Sequence, residues 1–303
     1  MRVHHLNCAT MCPYSSYLVN GPSYDNTSNI DSKKLPFLTL LGITSATKYG
    51  FFSPGEMVCH CLLIETNEGL ILVDTGIGLQ DIEKPTVRLG KFFVAAVRPK
   101  LDREETAAQQ ILKLGFKLED VKHIFVTHLD LDHAGGLSDF PKAKVHVFET
   151  EYKAAMNPIS LKEKNRYRSL QWEHKPDWAI HSLEKGETWF GFDKVQTLVN
   201  NETEILLVPL VGHSRGHCAI AVKTKENWLL HCGDGYFFHG EMSPSGYHCT
   251  PGLWLFQNIV QVDPEARINN QERLRRLVQS HSNEVKVFCA HDKVELTNFQ
   301  NGK

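Results

Sequence analysis

The chain has 303 residues, with 33 Lys and Arg against 35 Asp and Glu, 42% hydrophobic and 22% charged residues. That length admits two domains or one large α/β domain, and the composition excludes disorder, collagen and coiled coil as the dominant state. A formal charge of −2 argues against a protein built to bind the nucleic-acid backbone.

The first segment, Met1 to Ser16, has one early Arg but no apolar run of signal-peptide length. No later stretch is apolar over the length of a membrane span. The 8 Cys are scattered, mostly inside strand-like runs such as Val58-Cys59-His60-Cys61-Leu62. Buried thiols in a reducing cytosol have this distribution. Cys8 and Cys12 form a CxxxC pair with no second pair to complete a metal site. A cytoplasmic protein with no nucleic-acid or membrane partner is expected.

Met57 to Thr66 and Leu70 to Val73 flank Asn67-Glu68-Gly69, which reads as a β-hairpin that ends at Asp74-Thr75-Gly76. Ala107, Ala108, Ile111 and Leu114 recur at helical spacing and predict a helix over Glu105 to Leu114, stopped by Gly115. Strands follow at His123 to Val126 and Ala143 to Phe148. The second half repeats this grammar with strands at Ile205 to Leu210 and Cys218 to Val222, a turn at Lys225-Glu226-Asn227, and a strand at Trp228 to Cys232 that reaches Gly233-Asp234-Gly235. The segment His239 to Asp263 is aromatic and punctuated by Gly and Pro, and reads as a long loop shaping an apolar pocket. A helix is predicted from Pro264 to Ser280, then a last strand from Val285 to Cys289.

Each half thus has a hairpin ending in an Asp, a helix, and an apolar strand running into a His, His128 or His291. Two related β-rich units with helices on their outer faces follow, in one domain with its core at about 57–292. The ligand-type residues would gather at one sheet edge.

The chemistry centres on Thr127-His128-Leu129-Asp130-Leu131-Asp132-His133-Ala134-Gly135-Gly136. Four potential metal ligands lie within six residues after a strand, and the glycines let the backbone turn tightly. The alternative is a polar loop capping a short helix, with Asp132 as its N-cap. Three further loops weigh against that alternative, since they add His213, Asp234 and His291 at strand ends. The seven residues His128, Asp130, Asp132, His133, His213, Asp234 and His291 suit two adjacent cations, with Asp234 as the natural bridging carboxylate. The 16 His in the chain give reason to look for such a site.

On these residues the chain resembles the metallo-β-lactamase superfamily, and within it the N-acyl-homoserine lactonase-like branch. Shared features are the Leu72-Val73-Asp74-Thr75-Gly76 hairpin end, the His128 loop, Gly212-His213-Ser214-Arg215-Gly216-His217 and Ala290-His291-Asp292. The resemblance implies a four-layer αβ/βα sandwich (an α/β, or α+β, fold) and a hydrolase holding two divalent metal ions. It implies that His128 and His213 hold one ion, that Asp132, His133 and His291 hold the other, and that Asp234 bridges them.

Two departures matter. Asp130 stands where the family has a second His, and a harder oxygen ligand shifts the preference from zinc toward manganese or iron. The branch's tyrosine, which helps polarise the substrate carbonyl, is expected at 237, where this chain has Phe; Tyr236 is one residue earlier. Tyr236 is therefore a candidate oxyanion donor or a packing residue, and Asp132 a candidate proton carrier. His217 and Asp74 are expected to support the ligands rather than to bind metal.

The aromatics Tyr236, Phe237, Phe238, Tyr247, Trp254 and Phe256 suggest an apolar mouth, suited to a small-molecule lactone or a carboxylic ester with a hydrophobic acyl part. Phosphodiester or phosphotriester hydrolysis is the runner-up. A catalytically silent binding or sensor protein of the same fold is a third reading.

Overall fold

Strand β2 (Met57–Thr66) is buried almost end to end, so both of its faces must be covered. Its side chains alternate. Leu62 and Ile64 point inward, and Cys61 and Leu63 point outward toward the helix Ala107–Lys113, whose Ala107, Ala108 and Ile111 cover that face. In this computed structural model, which describes residues 1–13, 55–182, 184, 186–200 and 203–302, the same alternation runs through two sheets.

The first sheet holds β1 (Arg2–Met11), β2, β3 (Gly69–Val73), β4 (Val121–Phe125), β5 (Lys144–Phe148) and β6 (Asp177–His181), in that order. The second runs β12 (Val285–Phe288), β11 (Trp228–His231), β10 (Cys218–Lys223), β9 (Thr203–Pro209), β8 (Phe192–Asn200) and β7 (Glu187–Trp189). Leu62, Ile64, Ile71, Val73 and Phe125 of the first sheet meet Ile205, Leu207, Ile220, Val222 and Phe288 of the second. Behind the second sheet, Leu274 and Leu277 of the helix Pro264–His281 cover Leu206, Val208, Ala219 and Leu230. Helix, sheet, sheet, helix is the expected four-layer sandwich. Burying each large aliphatic side chain in these layers contributes about 1.5–3 kcal/mol.

Strand direction gathers the site. β3, β4 and β5 are parallel. In the second sheet β10 is antiparallel to both β9 and β11, and β11 is parallel to β12, so β9, β11 and β12 point one way. Asp74, His128, His213, Asp234 and His291 all follow the C-terminal ends of such strands.

One expectation changes and further elements join the set. The N-terminal residues form β1, which pairs antiparallel with β2 from Arg2↔Glu65 to Met11↔Met57 across an irregularity. The supposed loop 239–263 contains the helix Pro251–Val260: the Thr250 side chain accepts a hydrogen bond from Leu253 N–H and Pro251 occupies the first turn. Helices at Leu79–Glu83, Lys91–Val97, Glu149–Met156 and Leu161–Arg166 also lie outside the predicted set. No helix among the described residues is long and apolar enough to cross a membrane. All eight cysteines are free, six of them buried.

Candidate metal centre

The loop after β4 folds tightly because its glycines lie against the turn after β3. A Cβ at Gly136 would meet the Thr75 carbonyl at 2.8 Å, and one at Gly135 would collide with the Asp81 carboxylate. The loop then makes one helical turn, Leu131–Ala134. Its N-cap is Asp130 and not Asp132, and the Asp130 side chain makes no capping bond. That carboxylate is directed at the histidines instead.

Two groups of side chains result. In the first, Asp130 Oδ2 lies 3.4 Å from His128 Nε2 and 3.1 Å from His213 Nε2, and Asp234 Oδ2 lies 3.4 Å from His213 Nε2. In the second, Asp234 Oδ1 lies 3.1 Å from His133 Nε2 and 3.0 Å from His291 Nε2, while Asp132 Oδ2 is 3.6 Å from His291 Nε2. The two oxygens of Asp234 face different groups, which is the posture of a bridging carboxylate. All seven expected ligand residues are thus brought together.

Partners outside the cluster orient these rings. Asp74 accepts from Thr127 N–H and the Thr127 hydroxyl, each at 2.8 Å, and from His133 Nδ1 at 2.8 Å. His291 Nδ1 donates to the Val58 carbonyl at 2.7 Å. In both histidines Nδ1 is engaged outside the cluster, so Nε2 is the nitrogen that faces it. His217 uses both nitrogens on backbone, Nδ1 donating to Leu210 O and Nε2 accepting from Asp234 N–H, so neither is free for a cation.

The residues fit a metal on three counts. His128 Nε2 and Asp234 Oδ1 are buried with no hydrogen-bond partner, a costly state for polar atoms unless something else satisfies them. The donors are imidazole and carboxylate, and groups of them lie within 4.8 Å of one another. The charge also asks for a cation. Burial opposes protonation of His133, but Asp234, Asp74 and Asp132 pull its pKa well above the ordinary imidazole value; Asp234 and Asp132 act likewise on His291. A divalent ion would supply that positive charge without the protons.

Two residues near the cluster carry no signal in the linear pattern. Arg166, from the helix Leu161–Arg166, places Nε 3.2 Å from Asp130 Oδ1 and donates to the carbonyls of His213 and Val260, each at 2.7 Å. Although burial works the other way, Arg166 and His128 hold the Asp130 carboxyl well below the usual range. Burial, with help from Arg166, lowers His213 to about 4. Cys59 on β2 places Sγ 4.0 Å from Asp132 Oδ2, and burial and that carboxylate raise its pKa.

The oxyanion role expected of Tyr236 does not fit its position. Its ring is fully buried in the core behind the second sheet, and its hydroxyl donates to Glu295 Oε1 at 2.8 Å. The one-residue offset puts it on the opposite side of the chain from the cluster. Phe237 occupies the facing position instead, stacked on His291 at 5.3 Å with the rings 15° from parallel. Phe256, from the helix Pro251–Val260, meets Phe237 edge-on at 5.4 Å. Tyr247 and Trp254 are about half exposed.

A sandwich of this topology with a His/Asp cluster at the strand ends defines a metallo-hydrolase fold. The chain belongs to the metallo-beta-lactamase superfamily, whose family model matches residues 54–241. A probable metallo-hydrolase of Mycobacterium tuberculosis is 40% identical over 237 residues, covering 78% of this chain and 75% of that protein. An N-acyl homoserine lactonase of Bacillus thuringiensis is 25% identical over 248 residues, covering 79% and 84%. Among solved structures, an N-acyl homoserine lactone hydrolase with N-hexanoyl-L-homoserine at its catalytic metal centre superposes with a TM-score of 0.66 at 20% identity, covering 98% of this chain and 95% of that one. That likeness speaks for the fold.

Proposed function

We propose that the chain is a binuclear metal-dependent hydrolase that opens a lactone, or cleaves a carboxylic ester, bearing a hydrophobic acyl part. The observation that carries the reading is Asp234, with one oxygen turned to the His128 group and the other to the His133 group. The lactonase relative and the aromatic wall over His291 support the substrate class. His128, Asp130, His213 and Asp234 would hold one divalent ion; Asp132, His133, His291 and Asp234 the other. Bound there, the ions would acidify a water to make a nucleophile near neutral pH and polarise the substrate carbonyl.

The chain's own residues do the rest. Phe237 and Phe256 form an apolar wall that keeps bulk water from the His291 side. Asp132 is more open than the histidines, with its side chain 12% exposed, and in this reading it takes a proton at Oδ2 and passes it to the leaving alkoxide. Asp74 and the Val58 carbonyl hold the rings of His133 and His291 in register.

The test is a pH-stat assay of protein reconstituted separately with zinc, manganese and iron(II), offered short- and long-chain acyl lactones and a phosphodiester. Expected is proton release from the lactones, greater with the longer acyl chain, and its loss in His128→Ala. Phosphodiester cleavage alone would move the chain to phosphoester chemistry, and no turnover by metal-loaded protein would make it a binding protein.

A further inference from the structure

The two halves of the cluster differ in one donor. Cys59 is fully buried, and its Sγ, a carboxylate oxygen of Asp132 and a ring nitrogen of His291 all lie within 4.8 Å of one another. Beside them Asp234 Oδ1, buried and 3.0 Å from His291 Nε2, has no hydrogen-bond partner. We infer that Cys59 is a thiolate ligand of the cation on the His291 side of the cluster, together with Asp132 and His291, a role that rests on the metal-dependent reading above.

The surroundings explain why sulfur suits this position. Cys59 belongs to an apolar cluster with Ala9, Met11, Met57, Ile77 and Phe237. A carboxylate there would be costly to bury before an ion arrives, whereas a neutral thiol is carried at little cost. On coordination the S–H bond breaks, the sulfur–metal bond forms, and the proton leaves to solvent. The first group has no sulfur, and its donors are only the imidazoles of His128 and His213 and the carboxylates of Asp130 and Asp234. The two positions therefore prefer different ions: a thiophilic one such as zinc or cobalt beside Cys59, and manganese or iron(II) beside Asp130.

The experiment uses the whole chain loaded with cobalt(II), with bound cobalt measured in the same sample as the absorption spectrum. Expected is a near-ultraviolet thiolate-to-cobalt charge-transfer band. It is lost in Cys59→Ala and in the nearly isosteric Cys59→Ser, and kept in Cys61→Ala, which removes a neighbouring buried thiol of the same strand. If neither Cys59 variant folds, the wild-type spectrum alone decides. Bound cobalt without the band, or a band that survives in Cys59→Ala, overturns the assignment. Protein that takes up no cobalt overturns both this assignment and the metal-dependent reading, so the two failures are told apart by the cobalt content.

Discussion

The hairpin β2–β3 with its parallel neighbour β4, and the hairpin β10–β11 with its parallel neighbour β12, are the same unit built twice. Each hairpin ends in an aspartate and each parallel strand runs into a histidine. The aspartates nevertheless do different work. Asp74 itself adopts a left-handed backbone, φ 55°, and turns its carboxylate onto Thr127 and His133. At the second hairpin the left-handed residue is Gly233, φ 50°, and Asp234 follows it into the centre of the cluster. A shift of one residue in where the chain turns separates a carboxylate that orients ligands from one positioned to bridge them.

The widest test of that contrast is Asp234→Ala. It removes an oxygen from both groups at once, so lactone turnover is expected to fall by more than the roughly 10–100-fold that loss of an outer partner costs. Added metal should not restore it. Asp74→Asn keeps the shape but turns an N–H toward His133, and metal affinity is expected to drop about 10–100-fold. Here titration with excess metal should recover most of the activity. Equal and irrecoverable losses in the two variants would erase the distinction between them.

A third prediction probes the core behind the second hairpin. Burial, and next Asp292, push Glu295 up to about 8 from an ordinary 4.5. A carboxyl with a raised folded-state pKa favours folding while it is protonated, so its contribution is full below about pH 4.5 and is lost as pH rises through about 8. Denaturant midpoints of the wild type relative to Glu295→Gln should therefore decline across that window. A constant difference would show that Glu295 keeps the same charge folded and unfolded. The smallest effect is expected from Tyr236→Phe: kcat/KM for the lactone unchanged, with about 1–3 kcal/mol of stability lost because the Glu295 carboxyl loses a buried partner. A large fall in kcat at unchanged stability would return the tyrosine to the reaction.

What could be seen in the sequence follows the range of the interactions. The ligand loop, the strand ends that carry His213, Asp234 and His291, and the alternation that builds two sheets are short-range patterns, and they lie where expected. Arg166 reaches Asp130 across 36 positions and Cys59 reaches Asp132 across 73, with nothing in the local pattern to announce either. For Tyr236 the linear pattern left donor and packing open, because one residue of phase decides which side of the chain a ring occupies. The helix Pro251–Val260 did carry a local signal, Thr250 before Pro251, but its proline and glycine read as loop punctuation.

The ring of Phe237 has a consequence for how this chain could change its substrate over generations. It is buried and stacked on His291, so a mutation that changes the ring at 237 also disturbs that histidine. Phe256, from a separate helix and more exposed, packs edge-on against Phe237 and lies one ring further from that histidine. On the proposed lactonase reading, new acyl preferences are therefore more accessible through Phe256 and its helix, where a change leaves the ring stacked on His291 in place.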